Sequence, residues 1–146
     1  MTDPYGKPVG TRAPSPIDRD IVAWVSALTD YIDAWVANDA DRIAAAVAED
    51  CVITECYGPV YRGRGWVRRW ARDWFAAGGI VHRWEITDHI VTVDREAAQW
   101  TFECTWGGDR STFDGATIAR VADGLITELR EYQTTAALYD WQGTWR

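Results

Sequence analysis

The stretch IVHRWEITDHIVTV, residues 80–93, decides the fold because polar and apolar side chains alternate along it. Such alternation is typical of a β-strand that has one face against a core. Trp84 and Ile86 occupy even positions whereas Val91 is odd, so the inward face changes midway. A β-bulge near Asp88-His89 would produce this change and would curve the sheet. We therefore expect a long, bent strand here.

The segments on either side extend the pattern in different ways. Downstream, EAAQWTFECTWGG, STFDGATIARV and LITELREYQ keep the period of two, with hairpin turns at Asp94-Arg95 and Asp123-Gly124. Upstream, residues 17–38 and WVRRWARDWFAAGG carry apolar residues at helical spacing, and Asp39 is placed to cap a short helix between them. Helices followed by a curved, mostly antiparallel sheet predict an α+β fold.

Length and charge limit the possible functions. A chain of 146 residues predicts one domain, over 16–146, after a Pro- and Gly-rich flexible arm over 1–15. The formal net charge of −7 argues against nucleic acid and anionic membrane surfaces as partners. Three cysteines without metal-like spacing predict free thiols, no metal site and a cytoplasmic location, and no run is long enough to span a bilayer.

Several local strings resemble the nuclear transport factor 2-like superfamily, especially its SnoaL-like and ketosteroid isomerase-like branch. They are WVANDADRIAAAVAEDCVITECYG, YRGRGWVRRW and FDGATIARVADGLITELREY, and the similarity runs from about residue 20 to residue 133. The resemblance implies a cone-shaped α+β barrel with a pocket between helices and concave sheet. It also implies a homodimer through the outer sheet face, where Thr101, Glu103 and Thr105 would lie. Cyclases, isomerases, epoxide hydrolases, dehydratases and non-catalytic proteins share this fold.

Glu55 is the first candidate catalytic residue. It lies in AEDCVITECYG, where alternation places it on one strand face with Cys51 and Ile53. Against the ketosteroid isomerases, Tyr31 matches the oxyanion tyrosine, and Glu55, 55 − 31 = 24 residues further on, matches the carboxylate base. A carboxylate in an apolar cavity loses solvation and gains proton affinity, as a base acting near neutral pH requires. In the alternative, Glu55 pairs with an arginine at the pocket mouth and Tyr31 is a core residue.

Glu131 and His82 are auxiliary candidates. Strand alternation turns Glu131 inward, at a slot that resembles a catalytic aspartate position of limonene-epoxide hydrolases; the other acid and the arginine of that triad are absent here. His82 shares parity with Trp84 and could enter the pocket as a second proton carrier. The alternatives are an acid near a strand end and a surface histidine. Thr117 stands where the isomerases carry a second acid, so the match to a steroid isomerase is incomplete.

Aromatic residues would form the pocket walls. The chain has ten Trp, more than packing alone usually requires, and such side chains often line sites for apolar ligands. We predict a cofactor-independent enzyme that acts by general acid/base catalysis, in isomerisation, aldol-type cyclisation or dehydration of a carbonyl or polycyclic metabolite. The alternative is a non-catalytic binding protein for an apolar small molecule. The predicted substrate-binding residues are Tyr57, Trp70, Trp74, Trp84, Trp100, Phe102, Cys104 and Thr117.

Overall fold

A computed structural model describes residues 27–146 of the chain. The predicted arm over 1–15 and the first part of the predicted first helix lie outside the described residues. The helices are α1 (Ala27–Val36), α2 (Ala40–Ala45) and α3 (Arg64–Ala76). The strands are β1 (Val47–Thr54), β2 (Val60–Arg62), β3 (Ile80–Val91), β4 (Arg95–Trp106), β5 (Asp109–Ala122) and β6 (Leu125–Gln133).

The six strands form one sheet in the order β2-β1-β6-β5-β4-β3. Only β1 and β6 are parallel, and the other neighbours are antiparallel. The helices pack on the concave face of this sheet, which confirms the predicted α+β cone with its curved, mostly antiparallel sheet. The hairpin between β5 and β6 turns at Asp123 and Gly124, whose positive φ angles of 52° and 75° suit a tight two-residue turn.

Two irregularities bend β3. One lies between Ile86 and Asp88, next to the predicted bulge site, and it changes the inward face as expected. The other lies between Val81 and Arg83 and was not predicted. Because of this second shift, Val81 is buried and His82 is exposed, so the expectation that His82 shares the inward face of Trp84 is wrong.

Local signals explain the helix boundaries. Oδ1 of Asp39 accepts hydrogen bonds from the amides of Asp41 and Arg42, at 3.1 and 3.0 Å, and so caps α2 as predicted. Gly78, with φ 93°, follows the end of α3. The segment GPVYRGRG, whose glycines and proline are typical of a loop, contains β2, which pairs with β1 through Ile53 and Tyr61.

The core lies between α1 and the inner sheet face. Leu28, Tyr31 and Ile32 of α1 are buried against Ile126 and Leu129 of β6. Further buried residues extend the core, namely Trp35, Ile43, Val47, Cys51, Ile53, Val67, Ala71, Val81, Trp100 and Ala119. This packing fixes one side of the cone and leaves its wide end beneath α3 open. Among residues 27–146, none of the helices has the length and apolar character needed to cross a bilayer.

Candidate active site

A cavity of about 850 Å³ opens between α3 and the concave face of the sheet. Its walls are aromatic: seven tryptophans line it, namely Trp35, Trp66, Trp70, Trp74, Trp84, Trp100 and Trp106. Trp66, Trp70 and Trp74 follow one another at fourfold spacing along α3, so one helix face supplies three of them. The cavity can therefore enclose an apolar, planar molecule.

Contacts among the rings hold the walls in place. Tyr61 stacks on Trp70 with ring centroids 4.1 Å apart and planes 9° apart. Trp74 stacks on Trp106 at 5.5 Å and 6°, which joins α3 to the end of β4. Rings that pack this way lose little further freedom when a ligand binds, which favours a pre-formed site.

Glu55 lines the cavity one residue beyond the end of β1. Its Oε1 accepts a hydrogen bond of 2.9 Å from the hydroxyl of Tyr61 on β2. Burial raises the pKa of the Glu55 carboxyl, and the Tyr61 hydrogen bond offsets part of that rise because it favours the ionised form. Burial, and then the same hydrogen bond, raise the pKa of the Tyr61 phenol, which remains a donor at neutral pH.

Glu131 on β6 lines the same cavity. Burial, followed by repulsion from the Glu55 charge, raises the pKa of Glu131 to about 8. At pH 7 Glu131 is therefore predominantly protonated. Burial raises the pKa of the Cys56 thiol to about 11 and that of the Tyr57 phenol to about 12, so both stay protonated. The carboxyl groups of Glu55 and Glu131 therefore give this aromatic cavity the capacity for proton transfer.

Tyr31 does not reach the cavity. Its side chain is fully buried, its ring packs edge-on against Trp35 at 6.4 Å and Trp84 at 6.2 Å, and it is absent from the cavity lining. Its hydroxyl has no hydrogen-bond partner among the described residues. Burial, and then the charge of Glu131, raise its pKa well above the usual range. The expectation that Tyr31 and Glu55 face a common space is corrected. The rings of Trp35 and Trp84, which line the cavity, pack against the Tyr31 ring, which does not.

Two other candidates also lie outside the cavity. His82 is exposed, with Nε2 at 2.7 Å from Oγ1 of Thr105. Thr117 is 1 % exposed, and its Oγ1 accepts a hydrogen bond of 2.8 Å from Nε1 of Trp100. Thr117 faces inward, as its strand parity predicts, but the indole of Trp100 covers it, so the expectation that it contacts substrate is corrected.

The remaining predicted lining residues all reach the cavity: Tyr57, Trp70, Trp74, Trp84, Trp100, Phe102 and Cys104. Sequence reasoning missed Tyr61 because its three-residue strand is too short to show a period. It also missed Phe113 and Ser111, which share the inward face of β5, although the alternation of STFDGATIARV carries that signal. Oγ of Ser111 lies 3.7 Å from Sγ of Cys104.

Charged residues also line the cavity away from the Glu55 and Glu131 pair. Arg69 pairs with Asp73 at 3.5 Å and lies 5.6 Å from the ring centre of Trp66, while Asp109 begins β5. Arg69 is the only basic residue among the described lining residues, and its charge is offset by Asp73. Within residues 27–146, no group of His, Cys, Asp or Glu side chains is arranged to hold a metal ion.

The family model for the SnoaL-like domain matches residues 28–129. No curated protein sequence matches the chain.

Solved structures with the same fold are distant in sequence. A Mycobacterium tuberculosis epoxide hydrolase similar to limonene-epoxide hydrolase superposes with a TM-score of 0.69 at 20% identity, over 77% of this chain and 84% of that one. A Catenulispora acidiphila protein with a ketosteroid isomerase-like fold, in complex with trimethylamine, gives 0.66 at 17% identity, over 77% and 88%. A candidate polyketide cyclase from Xanthomonas campestris pv. campestris gives 0.62 at 19%, over 81% and 92%. At these identities the likeness concerns the fold.

Proposed function

Because the chain belongs to the SnoaL-like domain family, we propose that it is a cofactor-independent enzyme that moves protons on an apolar carbonyl compound. The substrate would be planar or polycyclic, and the reaction an isomerisation, an aldol-type cyclisation or a dehydration. One observation carries the proposal: Glu55, which accepts a hydrogen bond from the Tyr61 phenol, and Glu131, whose pKa is raised to about 8, line one aromatic cavity. Such a division into base and acid suits general acid/base catalysis.

Glu55 is the proton acceptor in this proposal. The Tyr61 hydrogen bond favours the ionised form of Glu55, while burial raises its pKa above that of an exposed glutamate. An ionised Glu55 would remove a proton from the carbon next to the substrate carbonyl, and the C–H electron pair would move into the forming enol. Both properties are needed, because a base must be deprotonated yet still bind a proton.

Glu131 is the hydrogen-bond donor. With a pKa raised to about 8 it is protonated at pH 7, and its O–H can donate to the substrate carbonyl oxygen as negative charge develops there. This reassigns the role that the family resemblance implies for Tyr31, which does not line the cavity. The enol would then be protonated at another carbon, attack a second carbonyl or expel a hydroxyl group as water, which gives the three reaction types.

Replacement of the base provides the test. The Glu55→Gln variant should exchange the α-protons of 2-acetylnaphthalene with D₂O ~10²–10⁴-fold more slowly than the wild type, measured by mass spectrometry. Its affinity for the ketone, followed by tryptophan fluorescence, should change little. Glu128→Gln is the matched control, because Glu128 is exposed and pairs with Arg120 at 3.3 Å. A wild type that exchanges no faster than buffer, or a Glu55→Gln variant with full activity, would contradict the proposal.

A non-catalytic ligand-binding protein is the second candidate. The aromatic lining favours it, since seven tryptophans provide binding surface without themselves moving protons. Structures of the same fold are known in complex with trimethylamine and, for TerC, with polyporic acid. Under this alternative the ketone binds, no deuterium is incorporated above background, and the Glu55→Gln variant behaves as the wild type does.

A further inference from the structure

Thr117 and Glu131 are cross-strand partners of β5 and β6 and face the same side of the sheet. Directly opposed residues in an antiparallel pair have Cβ atoms only about 4.5–5.5 Å apart. Yet Glu131 lines the cavity, whereas Thr117 is 1 % exposed and does not. Strand geometry alone would give both side chains access to the same space, so another side chain must separate Thr117 from it.

The indole of Trp100 is that barrier. Trp100 lies opposite Gly115 on β5, and its Nε1 reaches the hydroxyl of Thr117 at 2.8 Å. The ring passes so close over Gly115 that a Cβ there would overlap its outer edge. Trp100 thus lies across two inward positions of β5 and also lines the cavity, so it forms the floor beside Glu131.

The floor is held from several sides. Trp100 is 2 % exposed, and its ring meets those of Trp84, Phe102 and Phe113 edge-on, with centroids 5.6, 6.3 and 6.1 Å apart. The hydrogen bond to Thr117 fixes its orientation as well. A tryptophan that is packed and bonded in this way does not swing aside when a ligand enters.

We propose that Trp100 is a specificity-determining residue that limits the size of the group on the carbonyl carbon beside Glu131. The inference rests on the proposed function, in which Glu131 binds the carbonyl oxygen. With the aromatic part of the substrate between the tryptophan walls, the other substituent of the carbonyl points at the Trp100 indole. The site therefore takes aldehydes and methyl ketones and rejects ketones with a bulky second substituent.

Two ketones with a common naphthyl group test the limit. Dissociation constants of 2-acetylnaphthalene and 2-naphthyl phenyl ketone would be measured by calorimetry for the wild type and for Trp100→Ala. We expect the wild type to favour the methyl ketone, and the variant to shift the ratio of the two constants at least about tenfold toward the phenyl ketone. Trp106→Ala is the matched control: it removes an indole at the end of β4, eight residues along that strand from the position in register with Thr117 and Glu131, and should weaken both ketones to a similar degree.

A measurement without a carbonyl ligand tests the space itself. An engineered apolar cavity of ~150 Å³ accepts benzene or xenon, and loss of an indole side chain opens a space of about this size. Crystals of Trp100→Ala soaked in benzene should show the ring beside Thr117, and wild-type crystals should not. If the alanine variant does not fold, both measurements are made on Trp100→Phe. Xenon then replaces benzene because the opened space is smaller.

The outcomes separate this inference from the proposed function. If the ketones bind but the constants keep their ratio in the Trp100 variants, or if the vacated space has closed so that no density appears beside Thr117, Trp100 does not set the limit. If neither ketone binds any variant, the proposed substrate class is wrong, while the benzene or xenon position still decides whether Trp100 forms the floor.

Discussion

Tyr61 donates a 2.9 Å hydrogen bond to Glu55 across the β1–β2 hairpin, and in doing so stabilises the ionised carboxylate inside an aromatic cavity. The Tyr61→Phe variant loses this bond and keeps the ring. Since the bond lowers the pKa of Glu55, its loss raises that pKa, and the acidic limb of the pH profile for ketone exchange should move to higher pH. Tyr132→Phe, on the outer sheet face, should leave the profile unchanged. An unmoved acidic limb in Tyr61→Phe would argue against Glu55 as the base.

Glu131 makes the stability of the fold depend on pH. Its pKa of about 8 in the folded state exceeds the ordinary glutamate value of about 4.3 in the unfolded chain, so the folded state binds more protons between these values. The free energy of unfolding should therefore fall as pH rises through this window. Glu131→Gln should remove this fall and be more stable than the wild type at pH 9, on the order of 5 kcal/mol, but not at pH 4. Urea denaturation at the two pH values measures the difference, and an equal effect at both would contradict the assigned shift.

Glu96 is a buried acid that the sequence did not single out. It is 2 % exposed, its Oε2 accepts the amide of Leu28 at 2.9 Å, and its Oε1 lies 3.2 Å from Nε2 of His89. Glu96→Leu leaves the Leu28 amide without this acceptor and should cost about 2 kcal/mol in urea denaturation. Glu96→Gln, which keeps a side-chain oxygen, should cost less.

Glu128→Leu serves as the exposed comparison for that experiment. It breaks only the surface pair with Arg120 and should change the unfolding free energy by less than about 0.5 kcal/mol. Equal effects of Glu96→Leu and Glu128→Leu would show that the Leu28 contact contributes little.

Gly79 makes room for a cavity wall. A Cβ at this position would overlap the indole of Trp74, so Gly79→Ala should displace that ring and cost about 1–3 kcal/mol. Gly65→Ala is the control, because Gly65 lies in α3 with open space around its Cα and should gain up to about 1 kcal/mol from better helix propensity. Thermal unfolding measures both changes. A neutral Gly79→Ala would mean that Trp74 can move without loss.

The outer sheet face is the surface through which we expect two copies to associate. Ile118 and Tyr132 are 49 % and 47 % exposed there, on the strands that also carry Thr117 and Glu131 toward the cavity. Light scattering after size exclusion should find a dimer for the wild type and a monomer for Ile118→Asp. Leu138→Asp, which changes an exposed residue after β6, should stay dimeric. A monomeric wild type would contradict this expectation.

Periodicity was sufficient to predict the architecture and the inward direction of two of the candidate side chains. The change from helical spacing to alternation at residue 80 predicted the order of elements, and alternation turned Glu55 and Glu131 toward the same interior. The fourfold spacing of Trp70 and Trp74 likewise predicted a shared wall. These features repeat along the chain, so each is supported by several residues at once.

The errors came from features that occupy one or two residues. The register shift beside His82 turns that side chain outward, and no residue type in the sequence signals it. The hairpin that positions Tyr61 has only three residues in its second strand. Tyr31 and Thr117 are excluded from the cavity by the orientation of neighbouring aromatic side chains. The periodicity of a strand or helix does not specify those orientations. Such outcomes are decided by tertiary packing.

Tyr61, which donates its hydrogen bond to Glu55, also stacks on Trp70 of α3, so Tyr61 connects Glu55 to that helix. A ligand that displaced the Trp70 ring would also displace the stacked Tyr61 ring and its hydroxyl. A longer bond between Tyr61 and Glu55 would raise the pKa of the carboxyl, so the shape of a bound ligand would change the basicity of Glu55.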